Sequence, residues 1–182
     1  MKFNWLISDV DGVLTCGGHF YDVDGKRYKK FGSNDKDALR ELNSKYFENI
    51  LFITSDKIGF DISKKRINDM GFEVKYLSIE ERKEYFLKLE GKKIYIGDGI
   101  YDVELFNYVD MSFSLDDSTP QAKKKCTHML KTSGGKNVFS HLLEFLDNST
   151  NDIDEILNNL QCLQNLYSRQ PKFRLDMFRN LL

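Results

Sequence analysis

The chain has 182 residues, of which 27 are basic and 28 acidic, and its formal net charge is −1. This length suits one full hydrophobic core with a tail rather than two large domains. The balanced charge argues against a general affinity for nucleic acid or anionic membranes, so any anion-binding site has to be local.

Apolar runs alternate with helical patterns along most of the chain. Strands are predicted near residues 3–8, 50–54, 73–77, 93–97, 111–115 and 127–130. Helices are predicted between and after them, near residues 35–45, 59–70, 79–89, 101–108, 119–125 and 136–147. Strand alternating with helix implies right-handed crossovers, which predicts an α/β fold with a doubly wound, mostly parallel sheet.

Residues 17–31 depart from this alternation. They contain two short alternating runs around Asp24-Gly25, which is a strong signal for a two-stranded hairpin. We therefore expect a β-hairpin that projects from the sheet soon after the first strand. The alternative for the same residues is a solvated flap.

A polar break at residues 147–152 separates the last predicted helix of the sheet domain from the tail. In the tail, apolar residues recur at helical spacing, namely Ile153, Ile156, Leu157, Leu160 and Leu163. We divide the chain into a core domain of residues 1–147 and a C-terminal helical extension of residues 148–182. The extension is interpreted as an amphipathic helix packed on its own domain or on a sister subunit, with a dedicated partner-binding helix as the alternative.

Cysteine usage and the first residues bear on location. Cys16, Cys126 and Cys162 lack a metal-binding or redox spacing, which favours reduced thiols in a cytoplasmic protein. The first residues lack the basic and apolar segments of a signal peptide, and no window of the sequence reaches the length of a membrane span. Export and membrane insertion are therefore not expected.

Polar side chains follow three of the predicted strands at the points where those strands end. Asp9 and Asp11 come at the end of the first apolar run, Thr54 ends the second, and Asp98 and Asp102 follow the fourth. Because the carboxyl ends of parallel strands share one crevice, these side chains are expected to meet. Taken singly, each has an ordinary alternative as a solvated turn acid, a cap hydroxyl or a helix-start acid.

Together with Lys83, on the amphipathic stretch before the fourth strand, these residues resemble the four motifs of the haloacid dehalogenase superfamily of phosphohydrolases. Those motifs are an Asp-x-Asp, a Ser or Thr, a Lys or Arg, and an acidic Gly-Asp-x-x-x-Asp. The opening Asp-Val-Asp-Gly-Val-Leu-Thr, the short spacing to the second motif and Gly134-Gly135 are similar to the small capless branch of 3-deoxy-manno-octulosonate 8-phosphate phosphatases. The resemblance covers residues 3–146.

The resemblance implies a reaction through an aspartyl-phosphate. Asp9 would be the nucleophile, and Asp11 would protonate the leaving alkoxide and then deprotonate the attacking water. Asp9 and Asp98 would hold Mg²⁺ together with the backbone carbonyl of Asp11, because a hard cation offsets carboxylates crowded against a phosphate. Asp102 would bind the ion through water or buttress its ligands and Lys83.

The remaining motif residues would contact the phosphate. Thr54 would donate its hydroxyl to a phosphate oxygen, with Ser55 and Lys57 beside it as further candidate substrate-binding residues. Lys83 would stabilise the phosphoryl charge, although a solvated helix face is the usual place for a lysine. Gly12 and Gly135 are also candidate substrate-binding residues, because a glycine allows the backbone to approach the substrate closely.

One segment departs from the resembled branch. After the second-motif threonine that branch continues Gly-Arg, whereas this chain reads Ser55-Asp56-Lys57. The change exchanges a flexible turn and a planar guanidinium for an acid and a point charge, which leaves the identity of the substrate open.

The leading hypothesis is a Mg²⁺-dependent phosphomonoesterase for a small phosphorylated sugar or sugar acid, of the octulosonate 8-phosphate or nonulosonate 9-phosphate type. In the resembled branch a hairpin at this position packs against neighbouring subunits, so a homotetramer is expected. One alternative is a non-catalytic module that binds a phosphometabolite or a partner. Another is a phosphatase for a different substrate class such as a nucleic-acid 3′ phosphate, which the balanced charge disfavours.

Overall fold

The computed structural model describes residues 2–149. In these residues the strands are β1 (Phe3–Asp9), β2 (Thr15–Asp22), β3 (Gly25–Phe31), β4 (Phe47–Thr54), β5 (Glu73–Tyr76), β6 (Lys93–Ile96), β7 (Met111–Leu115) and β8 (His128–Leu130). The α-helices are α1 (Asp35–Lys45), α2 (Phe60–Met70), α3 (Ile79–Lys88), α4 (Asp102–Leu105), α5 (Pro120–Lys125) and α6 (Val138–Asn148).

Six of the strands form one sheet in the order β5-β4-β1-β6-β7-β8. Each neighbouring pair in this sheet is parallel. The predicted α/β fold with a doubly wound, mostly parallel sheet is therefore confirmed. Because β4 and β6 lie on opposite sides of β1, the strand order reverses beside β1, and the crevice of an open α/β sheet forms at the carboxyl ends of these strands.

The predicted hairpin is present as a separate two-stranded sheet of β2 and β3. The two strands are antiparallel, and the pairing of Asp22 with Gly25 leaves Val23 and Asp24 as a two-residue turn. Gly25 has a φ of 117°, a value that a residue with a side chain rarely adopts. The hairpin begins immediately after the turn that follows β1, so its base lies beside the crevice.

Strand β4 begins at Phe47, three residues before the predicted start near residue 50. Phe47 is completely buried and pairs with Phe3 of β1. Glu48 and Asn49, which follow it, are exposed polar residues. These two residues interrupt the apolar run in the sequence, so the prediction placed the start of the strand after them, although their backbone already belongs to the sheet.

The core lies on both faces of the central strands. On one face Ile7, Leu51, Ile53, Phe86 and Tyr95 belong to one buried cluster. On the other face, the rings of Phe72 and Phe139 meet Phe52 edge to face, with Phe139 at a centroid distance of 5.6 Å. Side chains alternate along a strand, so β4 supplies both layers.

Residues Lys2–Glu144 form a first compact unit. All the site residues discussed below lie in the first unit. The domain boundary at 147/148 and the amphipathic tail helix stay predictions, because residues 150–182 lie outside the described residues. Among the helices that the structure describes, none has the length and apolar character needed to cross a membrane.

Phe52 tests the packing of β4 against its neighbours. We expect Phe52→Ala to lower the free energy of unfolding by about 3–5 kcal/mol, because a fully buried ring is replaced by a cavity. Leu87→Ala on α3 is the control, since Leu87 is 62% exposed. Urea unfolding at equilibrium measures both, and an equal effect of the two substitutions would contradict this account of the core.

Candidate active site

The first acidic pair lies where β1 runs into a sharp turn. Asp9 is the last residue of β1 and is buried, and the turn of Val10–Leu14 follows directly. Gly12 has a φ of 93° in this turn, and a Cβ atom there would collide with the carboxylate of Asp98. The absence of a side chain at Gly12 therefore lets the loop after β6 approach the loop after β1.

Arg82 of α3 joins two of the carboxylates. Its Nη2 donates to Oδ1 of Asp9 and its Nη1 to Oδ1 of Asp102, each at 3.0 Å. The guanidinium is buried, and within residues 2–149 its Nε has no hydrogen-bond partner. A cation that bridges two buried carboxylates offsets the repulsion between them.

Asp102 begins α4 and is 2% exposed. Besides Arg82, its carboxylate accepts from the hydroxyl of Tyr95 at 2.6 Å and from the backbone N–H groups of Asp98 and Gly99 at 3.1 and 2.9 Å. It thus fixes the loop between β6 and α4 and also buttresses the site. The cation it supports is Arg82, whereas the sequence analysis expected Lys83.

The placement of Lys83 in the site was wrong. Its Nζ donates to Glu104 at 2.7 Å and lies over the ring of Tyr108, and the side chain is 49% exposed. Successive helical residues are rotated by about 100°, so a one-residue error turns the side chain to solvent. The position of Phe86, four residues after Arg82 and fully buried, indicates the inward face of α3.

Asp11 is held by contacts from two other elements. The hydroxyl of Thr54 donates to its Oδ2 at 3.0 Å. The ammonium of Lys29, from β3, lies 2.8 Å from Oδ1 and 3.0 Å from Oδ2. Thr54 is therefore beside Asp11 as its motif position predicted, whereas Lys29 was missed because no motif of the sequence marks it.

The other candidate substrate-binding residues differ in their position relative to the pocket. Ser55 lines the pocket, although its hydroxyl donates to the backbone carbonyl of Leu77 at 2.6 Å. Lys57 is exposed and is not among the described residues that line the pocket. Gly135 donates its N–H to Val13 at 2.9 Å, and a Cβ there would lie 2.7 Å from the backbone nitrogen of Cys16. Gly135 thus packs against the base of the hairpin and is not among the described residues that line the pocket, so its role as a substrate contact stays a prediction.

The pocket at the carboxyl ends of β1, β4 and β6 combines a charged floor with an apolar edge. Its lining residues are Asp9, Asp11, Ser55, Ile79, Arg82, Asp98, Gly99, Tyr101 and Asp102. Ile79 and Tyr101 are 40% and 63% exposed, respectively. The opening can therefore accommodate an organic group, while the floor is suited to a charged one.

Two carboxylates in the pocket are harder to ionise than usual. Burial and the nearby charges of Asp102, Asp117 and Asp11 raise the pKa of Asp98 to about 7. Burial and Asp102 also raise the pKa of Asp9 well above its usual range, although Arg82 acts in the opposite direction. The single guanidinium does not balance this cluster, so the site favours an additional cation.

Similarity to known proteins identifies the family of this chain. A family model of haloacid dehalogenase-like hydrolases matches residues 25–143. The 3-deoxy-D-manno-octulosonate 8-phosphate phosphatase of Haemophilus influenzae is 30% identical over 152 residues, which cover 80% of this chain and 83% of that protein. The chain belongs to the haloacid dehalogenase-like hydrolases. The expected resemblance and the enzyme class, a phosphatase of this family, are thereby confirmed.

Solved structures of related hydrolases have the same fold. The cobalt-bound octulosonate phosphatase of Haemophilus influenzae matches with a TM-score of 0.69 and 25% identity, over 80% of this hydrolase and 87% of that chain. The Moraxella catarrhalis enzyme, in complex with magnesium, phosphate and KDO, matches with a TM-score of 0.70 and 19% identity. That match covers 87% of this hydrolase and 93% of the other chain, and at this identity it shows the fold alone.

The carboxylates of the hydrolase fit a hard divalent cation. Asp9, Asp98 and Asp102 each offer an oxygen, and these atoms lie within 4.8 Å of one another. Oxygen ligands without sulfur or imidazole are the donor set that Mg²⁺ prefers. The raised pKa values of Asp9 and Asp98 give the same indication, since a cation would favour their charged forms.

Arg82 and Lys83 provide a matched pair of substitutions. We expect Arg82→Met to lower the free energy of unfolding at pH 7 by about 3–5 kcal/mol, because it leaves buried carboxylates without their cation. Lys83→Met removes an exposed ion pair and the contact with the ring of Tyr108, and it is expected to lower stability by less than about 1 kcal/mol. Urea unfolding of both variants decides between the two positions, and a larger loss with Lys83→Met would reverse the assignment.

Stabilisation by Mg²⁺ should depend on pH. In the metal-free hydrolase Asp98 binds a proton more tightly when folded than when unfolded, so this group lowers stability as the pH rises from about 4 to about 7. Bound Mg²⁺ would replace the proton, so the increase in Tm on adding Mg²⁺ should be larger at pH 8 than at pH 5.5. Thermal unfolding at the two pH values tests this. Asp98→Asn should reduce the difference, and an equal shift at both pH values in the unmodified protein would count against the site.

Proposed function

We propose that this chain is a metal-dependent phosphomonoesterase that acts on a small phosphorylated sugar or sugar acid through an aspartyl-phosphate on Asp9. The observation that carries the proposal is the arrangement of two carboxylates on one turn. Asp9 is oriented by Arg82 through its Oδ1, and Asp11 is held separately by Thr54. A nucleophile and an acid with independent supports suit a two-step phosphoryl transfer.

In the first step an oxygen of Asp9 forms a bond to phosphorus while the bond from phosphorus to the ester oxygen breaks. Asp11 gives its proton to the departing oxygen, which leaves as an alcohol. In the second step Asp11 takes a proton from water as the water oxygen attacks phosphorus. The bond to Asp9 then breaks, and inorganic phosphate leaves.

Positive charge around the phosphoryl group supports both steps. Arg82 already lies against Asp9 and offsets charge at the nucleophile. Mg²⁺, held by Asp9 and Asp98 with the Asp11 carbonyl and supported by Asp102, would neutralise phosphate oxygens and lower their repulsion of the carboxylate. Thr54, whose hydroxyl donates to Asp11, is proposed to offer that hydroxyl to a phosphate oxygen when substrate binds.

The substrate class follows from the relative and from the shape of the pocket. The 30% identical relative is named for octulosonate 8-phosphate, which supports that ester as the proposed substrate. Nonulosonate 9-phosphates stay the second candidates from the sequence analysis. The apolar edge formed by Ile79 and Tyr101 suits the carbon skeleton of such a sugar. A cytoplasmic location and the absence of a nucleic-acid partner stay predictions from charge and cysteine usage.

The proposed homotetramer is supported by the surface of the hairpin. Phe20, Tyr21, Val23 and Tyr28 of the hairpin segment are each more than half exposed. Exposed apolar residues in one short segment are typical of a contact surface. We therefore propose that this part of the hairpin packs against a neighbouring subunit, as in the resembled branch.

Asp9→Asn is the direct test of the reaction. Because an amide is a poor nucleophile, we expect phosphate release from a panel of phosphosugars and phosphorylated sugar acids to fall below detection. The unmodified protein should release phosphate only when Mg²⁺ is present. Asp37→Asn, at an exposed helix position, is the control and should retain activity. Full turnover by a folded Asp9→Asn protein would sink the proposal.

A further inference from the structure

We propose that Lys29 is a positioning residue for Asp11, and that the hairpin thereby completes the active site of its own chain. The inference rests on the proposed function, in which Asp11 is the acid and the base. It concerns the base of the hairpin, whereas the proposed subunit contact concerns its exposed aromatic surface.

The contacts of Lys29 account for every donor that it has. Its ammonium lies against both oxygens of Asp11, 2.7 Å from Oδ2 of Asp56 and 2.9 Å from the hydroxyl of Ser63. The side chain is completely buried. An ammonium has three N–H groups, so the three acceptor residues, Asp11, Asp56 and Ser63, leave none for solvent or for substrate. The effect of Lys29 on the reaction must therefore pass through the groups that it holds.

Asp56 compensates the charge of the buried Lys29 ammonium and connects it to the rest of the site. Its carboxylate pairs with Lys26 as well as Lys29, and although burial opposes ionisation, these two partners hold its pKa well below the usual range. The backbone N–H of Asp56 donates to the hydroxyl of Thr54 at 3.0 Å. Lys29, Asp11, Thr54 and Asp56 thus form a closed ring of contacts that fixes the carboxylate of Asp11 from two sides.

The start of α2 is shaped to admit these lysines. A Cβ at Gly59 would lie 2.5 Å from Cε of Lys29 and 3.0 Å from Cδ of Lys26, and it would collide with Asp56. Gly59 also donates its N–H to Oδ1 of Asp56 at 3.0 Å. The aliphatic parts of both lysines therefore pass over a glycine on their way to one carboxylate, which is the geometry of a built contact between hairpin and core.

A second metal ion is the alternative for the same place. Asp11, His19 and Asp56 have ligand atoms within 4.8 Å of one another. The ammonium of Lys29 is already within 3.0 Å of both carboxylates, however, and it provides the positive charge that a metal would bring. The structure therefore favours an amine over a metal between these acids.

Lys26 provides a matched control for Lys29. Both residues are buried lysines of β3, and both pair with Asp56, but the ion pairs of the described residues connect only Lys29 to Asp11. With a phosphosugar substrate and Mg²⁺, we expect Lys29→Met to lower kcat at least tenfold with little change in KM. Lys26→Met should lower kcat less than threefold. Equal losses in the two variants would overturn the positioning role.

A double-mutant cycle separates positioning from general damage to the fold. In an Asp11→Asn background, Lys29→Met should cause no further loss of kcat, because the carboxylate that it positions is absent. Losses that multiply would show that Lys29 acts independently of Asp11 and would overturn the proposal. If Lys29→Met does not fold, Lys29→Gln, which keeps polar N–H donors without the charge, takes its place in the same cycle.

Asp9→Asn, measured in the same assay, tests the proposed function independently of the lysine variants. If it abolishes turnover while the two lysine variants behave alike, only the positioning role fails. If it retains turnover, the aspartyl-phosphate mechanism fails, and the role of Asp11 on which this inference rests fails with it.

Discussion

The site depends on bringing buried carboxylates to the ends of adjacent strands without letting their repulsion open the fold. Asp9 and Asp102 approach each other because the guanidinium of Arg82 lies between them and donates to both. The remaining negative charge affects Asp98. Burial and the neighbouring acids raise the pKa of Asp98 to about 7. A divalent cation would neutralise this charge, so the position of the proposed nucleophile and the expected affinity for metal both follow from one charge balance.

The buried cations that contact Asp9 and Asp11 come from different elements. Arg82, in a helix of the main fold, orients Asp9, whereas Lys29, in the hairpin, contacts Asp11. The proposed nucleophile and the proposed acid therefore have separate supports. Asp56 stands where the resembled branch has an arginine. Its carboxylate supplies a negative charge that compensates the buried ammonium of Lys29. The unusual residue after the second motif is thus matched by cations from the hairpin.

Most of the fold was predictable because its signals are local. Alternation of apolar runs with helical patterns predicted the parallel sheet, and Asp24-Gly25 predicted the hairpin. The early start of β4 at Phe47 was missed because two polar residues follow it, and only pairing with β1 shows that they belong to a strand. A short apolar signal interrupted by polar residues cannot by itself show which backbone groups find partners in a sheet.

For the site, the sequence by itself determined which acids and which hydroxyl would meet, because strand ends in a parallel sheet converge on one crevice. The tertiary structure decided which basic residues join them. Helix phase placed Arg82 inward and Lys83 outward, a difference of one residue that motif spacing did not resolve. Lys29 is 18 residues from Asp11 in the chain, and the folding of the hairpin across the start of α2 brings the two together. Such a contact depends on the path of the backbone in space, which no local pattern of residues records.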